Sequence, residues 1–192
     1  MSVLRNLLAL VGLLAVVAAG ILAFAAQRIL SGFDPQADDV YLGLAKRVIE
    51  TRSGSEAMIV RMPVEEGLSW QDVEQTMKFV ANEHNMSDVG ELPLYKDVEA
   101  KSGEEYRFVK IYMFCNSLTA AKMMDYSDAY AACLPCRITL LEDLEGRLWL
   151  IAMNMDLMIH GGAPLPPDLK ADALKVKEVM LDIMSRGARG AF

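Results

Sequence analysis

An uninterrupted apolar segment near the N-terminus constrains this chain more than any other feature. Residues 7–26 read LLALVGLLAVVAAGILAFAA, a run of 20 residues without a charged or polar side chain. As a helix that rises about 1.5 Å per residue, the run is roughly 30 Å long, which is the thickness of the hydrocarbon core of a bilayer. The run therefore predicts that residues 1–28 form a transmembrane anchor, with the membrane lipid bilayer as its partner.

The charges on either side of the apolar run predict its orientation. Arg5 precedes the run, whereas Arg28 is soon followed by Asp34, Asp38 and Asp39. The positive-inside rule then places the N-terminus in the cytoplasm and the rest of the chain on the periplasmic side of the cell inner membrane, with a single pass. A cleavable signal peptide is the alternative, since residues 23–25 read Ala-Phe-Ala. Both interpretations send the domain to the same compartment.

The overall charge excludes one large class of partners. The chain has 19 basic and 26 acidic residues and a net charge of -7. Because an acidic surface has no general attraction for a phosphate backbone, we expect no nucleic acid partner. The hydrophobic fraction of 53% is sufficient for a packed core, so the part after the anchor is expected to be globular.

Periodicity divides the remainder into a stalk, residues 29–55, and one domain, residues 56–192. Strands are predicted over 58–63, 108–115, 136–141 and 147–153, with a weaker one over 92–98; helices are predicted to start at Ser69 and Leu118 and to cover 169–183. This order predicts an α+β fold, a two-layer sandwich of a mainly antiparallel sheet with helices on one face, plus one N-terminal transmembrane helix. Ile111 is expected to face the helices.

Several short motifs occur in the order typical of a known family. They are Cys115-Asn116, the run Leu134-Pro135-Cys136-Arg137-Ile138, the acidic pair Glu142-Asp143 and the sequence Gly146-Arg147-Leu148-Trp149. With these motifs, residues 50–185 resemble the bacterial and archaeal domain-of-unknown-function family three hundred and two. The resemblance implies a compact α+β fold that is often dimeric, but no activity and no catalytic residue. Cys133 departs from the family pattern, and so does the sequence that starts at Met153.

The three cysteines Cys115, Cys133 and Cys136 carry most of the chemistry that can be predicted. Cys133 and Cys136 form a Cys-x-x-Cys pair, but the pair follows a predicted helix and enters a strand, so the helix N-terminus that activates such thiols in oxidoreductases is missing. In an oxidising compartment a structural disulfide is plausible, either from Cys115 to Cys136 or from Cys133 to Cys136. Redox activity and metal binding are the alternatives.

A second group combines thioethers with one of the two histidines. Met153, Met155, Met158 and His160 fall within eight residues, and alternation would put Met153 and Met155 on one strand face. Soft thioethers and an imidazole suit Cu(I). The alternative is that these methionines fill irregular gaps in a core, since the chain has 13 methionines.

No set of residues typical of an enzyme is evident. With 2 histidines, no phosphate-binding loop and no nucleophile–base order, the sequence favours a non-catalytic protein without a cofactor. The first hypothesis is a membrane-anchored extracytoplasmic accessory or interaction domain, which could be a subunit of a membrane electron-transfer complex. Its partner would be a membrane protein or a second copy. The second hypothesis is a protein that binds Cu(I) or a thiol ligand, and the third is a thiol-disulfide oxidoreductase.

Overall fold

A long helix begins the computed structural model, which describes residues 2–192. Met1, the first residue of the predicted anchor, lies outside the described residues. Helix α1 spans Ser2–Leu30. Its segment Arg5–Arg28 has a mean hydropathy of 2.8, and none of this segment is buried inside the protein. By length and composition, α1 is therefore able to cross a membrane, and it is not a core helix of the domain.

Thirteen further elements follow, of which five are strands. The helices are α2 (Ala37–Thr51), α3 (Gly54–Ala57), α4 (Trp70–Glu83), α5 (Leu94–Ser102), α6 (Ser117–Tyr126), α7 (Asp156–His160) and α8 (Pro167–Gly187), with a 3₁₀ helix over Asp128–Cys133. The strands are β1 (Ile59–Pro63), β2 (Ser87–Leu92), β3 (Val109–Cys115), β4 (Cys136–Glu142) and β5 (Leu148–Met153).

The strands form one antiparallel sheet in the order β1-β5-β4-β3-β2. Helices α4 and α8 pack against each other and bury their apolar stripes on one face of the sheet. The main core contains Val73, Met77 and Val80 from α4 and Met180, Ile183 and Met184 from α8. The predicted fold class, a two-layer α+β sandwich preceded by a long apolar helix, is confirmed.

The β3 side chains that face the helices are not the alternating set that the sequence predicts. Tyr112 and Phe114 are fully buried beneath the helices, with Ile138 and Leu140 of β4. Ile111 is only half-buried and lies on the other face, so the expectation that it faces the helices is wrong. The two alternating sets of β3 side chains are both largely apolar, so hydrophobicity alone does not predict which set faces the helices.

Two local structures follow from short sequence signals. Ser69 is the N-cap of α4, where its side chain accepts a hydrogen bond from the Asp72 backbone N–H and the Asp72 carboxylate accepts one from the Ser69 N–H. The tight β4–β5 turn ends at Gly146, whose φ of 80° is readily accessible to glycine.

The weak strand predicted over 92–98 is wrong. The structure places β2 at Ser87–Leu92 and begins α5 at Leu94. Strand β2 reads SDVGEL and has a register shift between Asp88 and Gly90. Because β2 is an edge strand with polar residues on both sides, it lacks the alternating pattern from which strands are recognised.

Candidate functional site

The three cysteines lie at the end of the sheet where β3 ends and β4 begins. Cys115 is the last residue of β3, Cys136 is the first of β4, and Cys133 ends the 3₁₀ helix. All three are half-buried free thiols. The register pairs Cys136 with Phe114, so Cys115 is offset by one residue and starts from the opposite face of the sheet. The two strands are neighbours, as a Cys115–Cys136 disulfide requires, and both cysteines line one small cavity with Met155 and Met158, although their positions in the register are offset by one residue.

The environment of Cys136 disfavours its thiolate. Burial raises the pKa of the Cys136 thiol to about 11, and the neighbouring Cys115 and Cys133 thiols add to this effect. Cys136 opens a strand rather than a helix, so no helix dipole opposes the shift. A nucleophilic cysteine needs the reverse arrangement.

The structure brings three of the four residues predicted to bind copper to one cavity and places the fourth, Met155, outside it. Strand β5 ends at Met153, and Met155 is the N-cap of α7, so the expectation that both share one strand face is wrong. Met153, Met158 and His160 line a cavity of about 770 Å³ between α2 and α7, together with Cys133. Met155 lines two adjoining cavities and not this one.

His160 is held by a buried carboxylate that the sequence analysis assigned to the stalk. Its Nδ1 lies 3.2 Å from Asp34 Oδ1, and Lys170 Nζ lies 2.5 Å from Asp34 Oδ2. Asp34 and His160 are only 3% and 4% exposed. The hydrogen bond from Lys170 lowers the pKa of Asp34 to about 2, against the opposing effect of burial. No sequence signal connects these residues, since Asp34 and Lys170 are 136 positions apart.

This cluster attaches the segment after α1 to the domain. The Asp34 N–H donates to the Gly162 carbonyl at 2.8 Å, and the Tyr41 hydroxyl donates to the Gly161 carbonyl at 2.5 Å. Residues 34–41 of the predicted stalk therefore contact the loop that follows α7.

A second charged cluster lies at the other side of the helix layer. Lys110 Nζ is 2.8 Å from Glu74 and 2.6 Å from Glu91, and the Tyr112 hydroxyl donates to Glu74 at 2.6 Å. Lys78 binds both carboxylates as well. Burial alone would raise the pKa of Glu74, but these hydrogen bonds lower it to about 2. Every charge in the cluster has an opposite partner, which is typical of a structural network. Of these contacts, only the ion pair between Glu74 and Lys78, four residues apart on one helix, could be predicted from the sequence.

Hard-ligand metal sites are not formed in the described part of the chain. Between residues 2 and 192, no group of three or more His, Cys, Asp or Glu side chains is arranged to hold a metal ion. Asp156 is paired with Lys177. A metal site built here would have to include thioethers.

The face of the sheet opposite α4 and α8 is apolar, and we call it the open face. It is formed by Ile59, Val109, Ile111, Met113, Thr139, Leu141, Trp149 and Ile151, which the register places on one side. None of these side chains belongs to the two buried clusters that the described residues form. At its margins Leu92 and Met153 are 44% and 48% exposed. Arg61 lies over the Trp149 ring, with its guanidinium carbon 3.8 Å from the ring centroid.

Comparison with known proteins identifies the family to which this fold belongs. The family described as "Domain of unknown function DUF302" matches residues 60–187, which is most of the chain after α1. The chain belongs to the DUF302 family. A solved structure titled "Crystal structure of uncharacterized conserved protein DUF302 from Bacillus stearothermophilus" is similar, with a TM-score of 0.55 and 13% sequence identity. The match covers 67% of this chain and 97% of that one. No curated protein matches this chain.

The DUF302 match confirms the resemblance that the cysteine, Leu-Pro-Cys-Arg and acidic-turn motifs indicated. Since the solved relative is distant in sequence, the likeness concerns the fold alone. Residues 2–30, which include α1, lie outside the family match.

Proposed function

We propose that this DUF302 protein is a membrane-anchored, extracytoplasmic interaction domain without catalytic activity, and that its open face packs against the open face of a second copy. The observation that carries this proposal is the open face itself, an apolar sheet surface next to a chain segment that can cross a membrane. Membership of an electron-transfer complex stays a prediction from location.

The shape of the open face favours a second copy over a partner that inserts a helix or a loop. Five strands about 4.8 Å apart, with a rise of about 3.4 Å per residue, give a surface of roughly 20 Å by 20 Å. Two twisted sheet faces pack on one another about 10 Å apart with interdigitating side chains. Two such faces would bury on the order of 1,000 Å² in total, close to the minimum for a specific interface.

The anchor compensates for the small area. Two chains held in one membrane are confined to a thin layer, so their effective concentration is far higher than in solution. A modest interface is then sufficient for association. The open face also carries few charged side chains, with Arg61 and Arg137 near opposite margins. Few charges would therefore have to be desolvated on association.

The absence of catalytic activity is supported by the chemistry of the described residues. The raised pKa of Cys136 disfavours a thiol nucleophile, and His160 is committed to Asp34. The buried charges of the Glu74 cluster are paired with one another.

The mass of the purified full-length protein in detergent tests the proposal. Light scattering corrected for detergent should give a dimer for the natural chain. Ile151→Lys should give a monomer, because a lysine in the centre of the open face would have to be desolvated in the dimer. Met153→Lys, at the exposed margin, should weaken the dimer without affecting folding.

Leu118→Lys is the matched control, since Leu118 is 80% exposed on α6, away from the open face. It should leave the dimer intact. A monomeric natural protein, or a dimer unaffected by both open-face variants, would contradict the proposal. The location is tested separately with intact spheroplasts, where added protease should digest the domain; full protection would place it in the cytoplasm.

A further inference from the structure

Sulfur-containing side chains from separate elements line one cavity at the end of the sheet, where residues of α8 and of the strands also form its walls. A cavity of about 460 Å³ is lined there by Cys133, Cys136, Met155 and Met158. Cys133 ends the 3₁₀ helix, Cys136 begins β4, and the two methionines lie at the N-cap and in the middle of α7. The fold therefore brings two thiols and two thioethers to one cavity.

We propose that this cavity is a Cu(I) site whose ligands are the Cys133 and Cys136 sulfurs together with Met155 or Met158. Thiolate and thioether ligands select Cu(I) over divalent ions, which favour imidazole or oxygen donors. The ligand set differs from the one that sequence spacing indicates, because it replaces Met153 and His160 with the two cysteines.

The nearby hard donors are engaged elsewhere, which favours a sulfur-only site. Asp156 binds Lys177, and His160 Nδ1 faces the buried Asp34. A divalent ion at this place would also meet the positive charges of Arg47, Arg137 and Lys177, which line the same cavity. Cu(I) displaces the protons of the two thiols when it binds, and the resulting pair of thiolates with one monovalent ion carries a net negative charge, which these three cations do not oppose.

The ligands are positioned without a covalent link between them. Cys136 and Met155 both pack against the main core, and Met155 also packs against a second cluster that contains Met123 and Ile159. Cys133 lies outside the sheet and also lines the larger cavity between α2 and α7. An ion entering through that larger cavity would reach Cys133 first and then the more buried Cys136.

Ordinary packing is the competing explanation, because methionine fills irregular gaps in cores. The two explanations differ in what the thiols do. Packing requires only apolar volume, whereas the Cu(I) site requires sulfur at all of its ligand positions. Substitutions that retain volume but remove sulfur separate them. The same cavity is lined by Ile111, Thr139 and Ile151 of the open face, so the site is tested by substitutions at Cys133, Cys136, Met155 and Met158, none of which belongs to the open face.

The test is an anaerobic titration of the reduced full-length protein with Cu(I) in competition with bicinchoninate. The reduced state is first verified by counting three free thiols. We expect one Cu(I) per chain and an X-ray absorption spectrum with sulfur neighbours only. Cys133→Ser should weaken binding by more than the 10–100-fold typical of losing a supporting partner of a ligand. Cys136→Ser should do the same in the fraction that circular dichroism shows to be folded.

Methionine variants give the matched comparison. The double variant Met155→Leu, Met158→Leu should weaken Cu(I) binding, whereas Met124→Leu, at an exposed position on α6 outside the cavity, should bind as the natural chain does. No Cu(I) retained against bicinchoninate would overturn the proposal. So would unchanged binding in Cys133→Ser, or nitrogen neighbours in the spectrum that His160→Gln removes.

Discussion

Asp34 Oδ2 lies 2.5 Å from Nζ of Lys170 and joins the segment after α1 to the first turn of α8. The carboxylate is buried, and His160 contacts its other oxygen. Through this contact, residues that follow α1 are fixed to the domain. The chain is thus fixed to the domain four residues after the end of α1.

Replacing Asp34 should release this attachment. Asp34→Asn removes the charge that holds Lys170 and leaves buried polar groups imperfectly paired, which typically costs about 1–3 kcal/mol. We expect faster amide hydrogen exchange in α2, with α4 unchanged. Asp38→Asn, at an exposed position on α2, is the matched control and should show no change. Equal protection of α2 in both variants would show that the ion pair does not hold the segment.

Acid should weaken the protein through the same carboxylate. The folded-state pKa of Asp34 is about 2, below its ordinary value of 3.8. A lowered pKa means that the contribution to stability is fully present above about pH 4 and is lost as the pH falls towards 2. Urea unfolding at pH 5 and pH 2.5 should show a smaller loss on acidification for Asp34→Asn than for the natural chain. Identical losses would contradict the assignment.

The main features of the fold could be predicted from the sequence because they depend on local signals. The 20-residue apolar run, the capping box from Ser69 to Asp72 and the turn ending at Gly146 each specify their structure within a few residues. Strand β2 could not be predicted, since an edge strand is defined by its pairing with β3 rather than by its own composition.

The candidate site was harder to predict because it joins distant parts of the chain. Spacing grouped Met153, Met155, Met158 and His160, but Met153 ends a strand and His160 is held by Asp34. The cavity adds Cys133 and Cys136 to Met153, Met155 and Met158 and leaves out His160. Such a combination follows from the β4–β5 pairing, and no periodicity within either segment reveals it.

The two faces of the sheet should differ in their sensitivity to truncation. Leu140 is fully buried beneath the helices, so Leu140→Ala should lower the free energy of unfolding by about 2–5 kcal/mol. Ile111 lies on the open face and is half-buried, so Ile111→Ala should cost clearly less when measured in the monomer. Chemical unfolding in detergent at low protein concentration compares them. An equal or larger loss for Ile111→Ala would mean that the open face is covered.

Thiol labelling should distinguish the cysteines. The pKa of Cys136 is raised to about 11 by burial, so little thiolate is present near neutral pH. We expect Cys136 in the native protein to react with iodoacetamide far more slowly than a free cysteine does, with a rate that rises about tenfold per pH unit up to about pH 11. Mass spectrometry of the labelled peptides reports each position. Labelling of Cys136 at pH 7 faster than that of a free cysteine would instead support a thiol oxidoreductase.

Crosslinking in intact membranes tests the central claim most directly. A photoreactive benzoylphenylalanine in place of Thr139, at the centre of the open face, should link two copies of the chain on irradiation. The same group in place of the exposed Leu118 should not. We predict a product of twice the monomer mass from the Thr139 position only. Monomer alone from both positions, or a product that contains a different protein at Thr139, would contradict it.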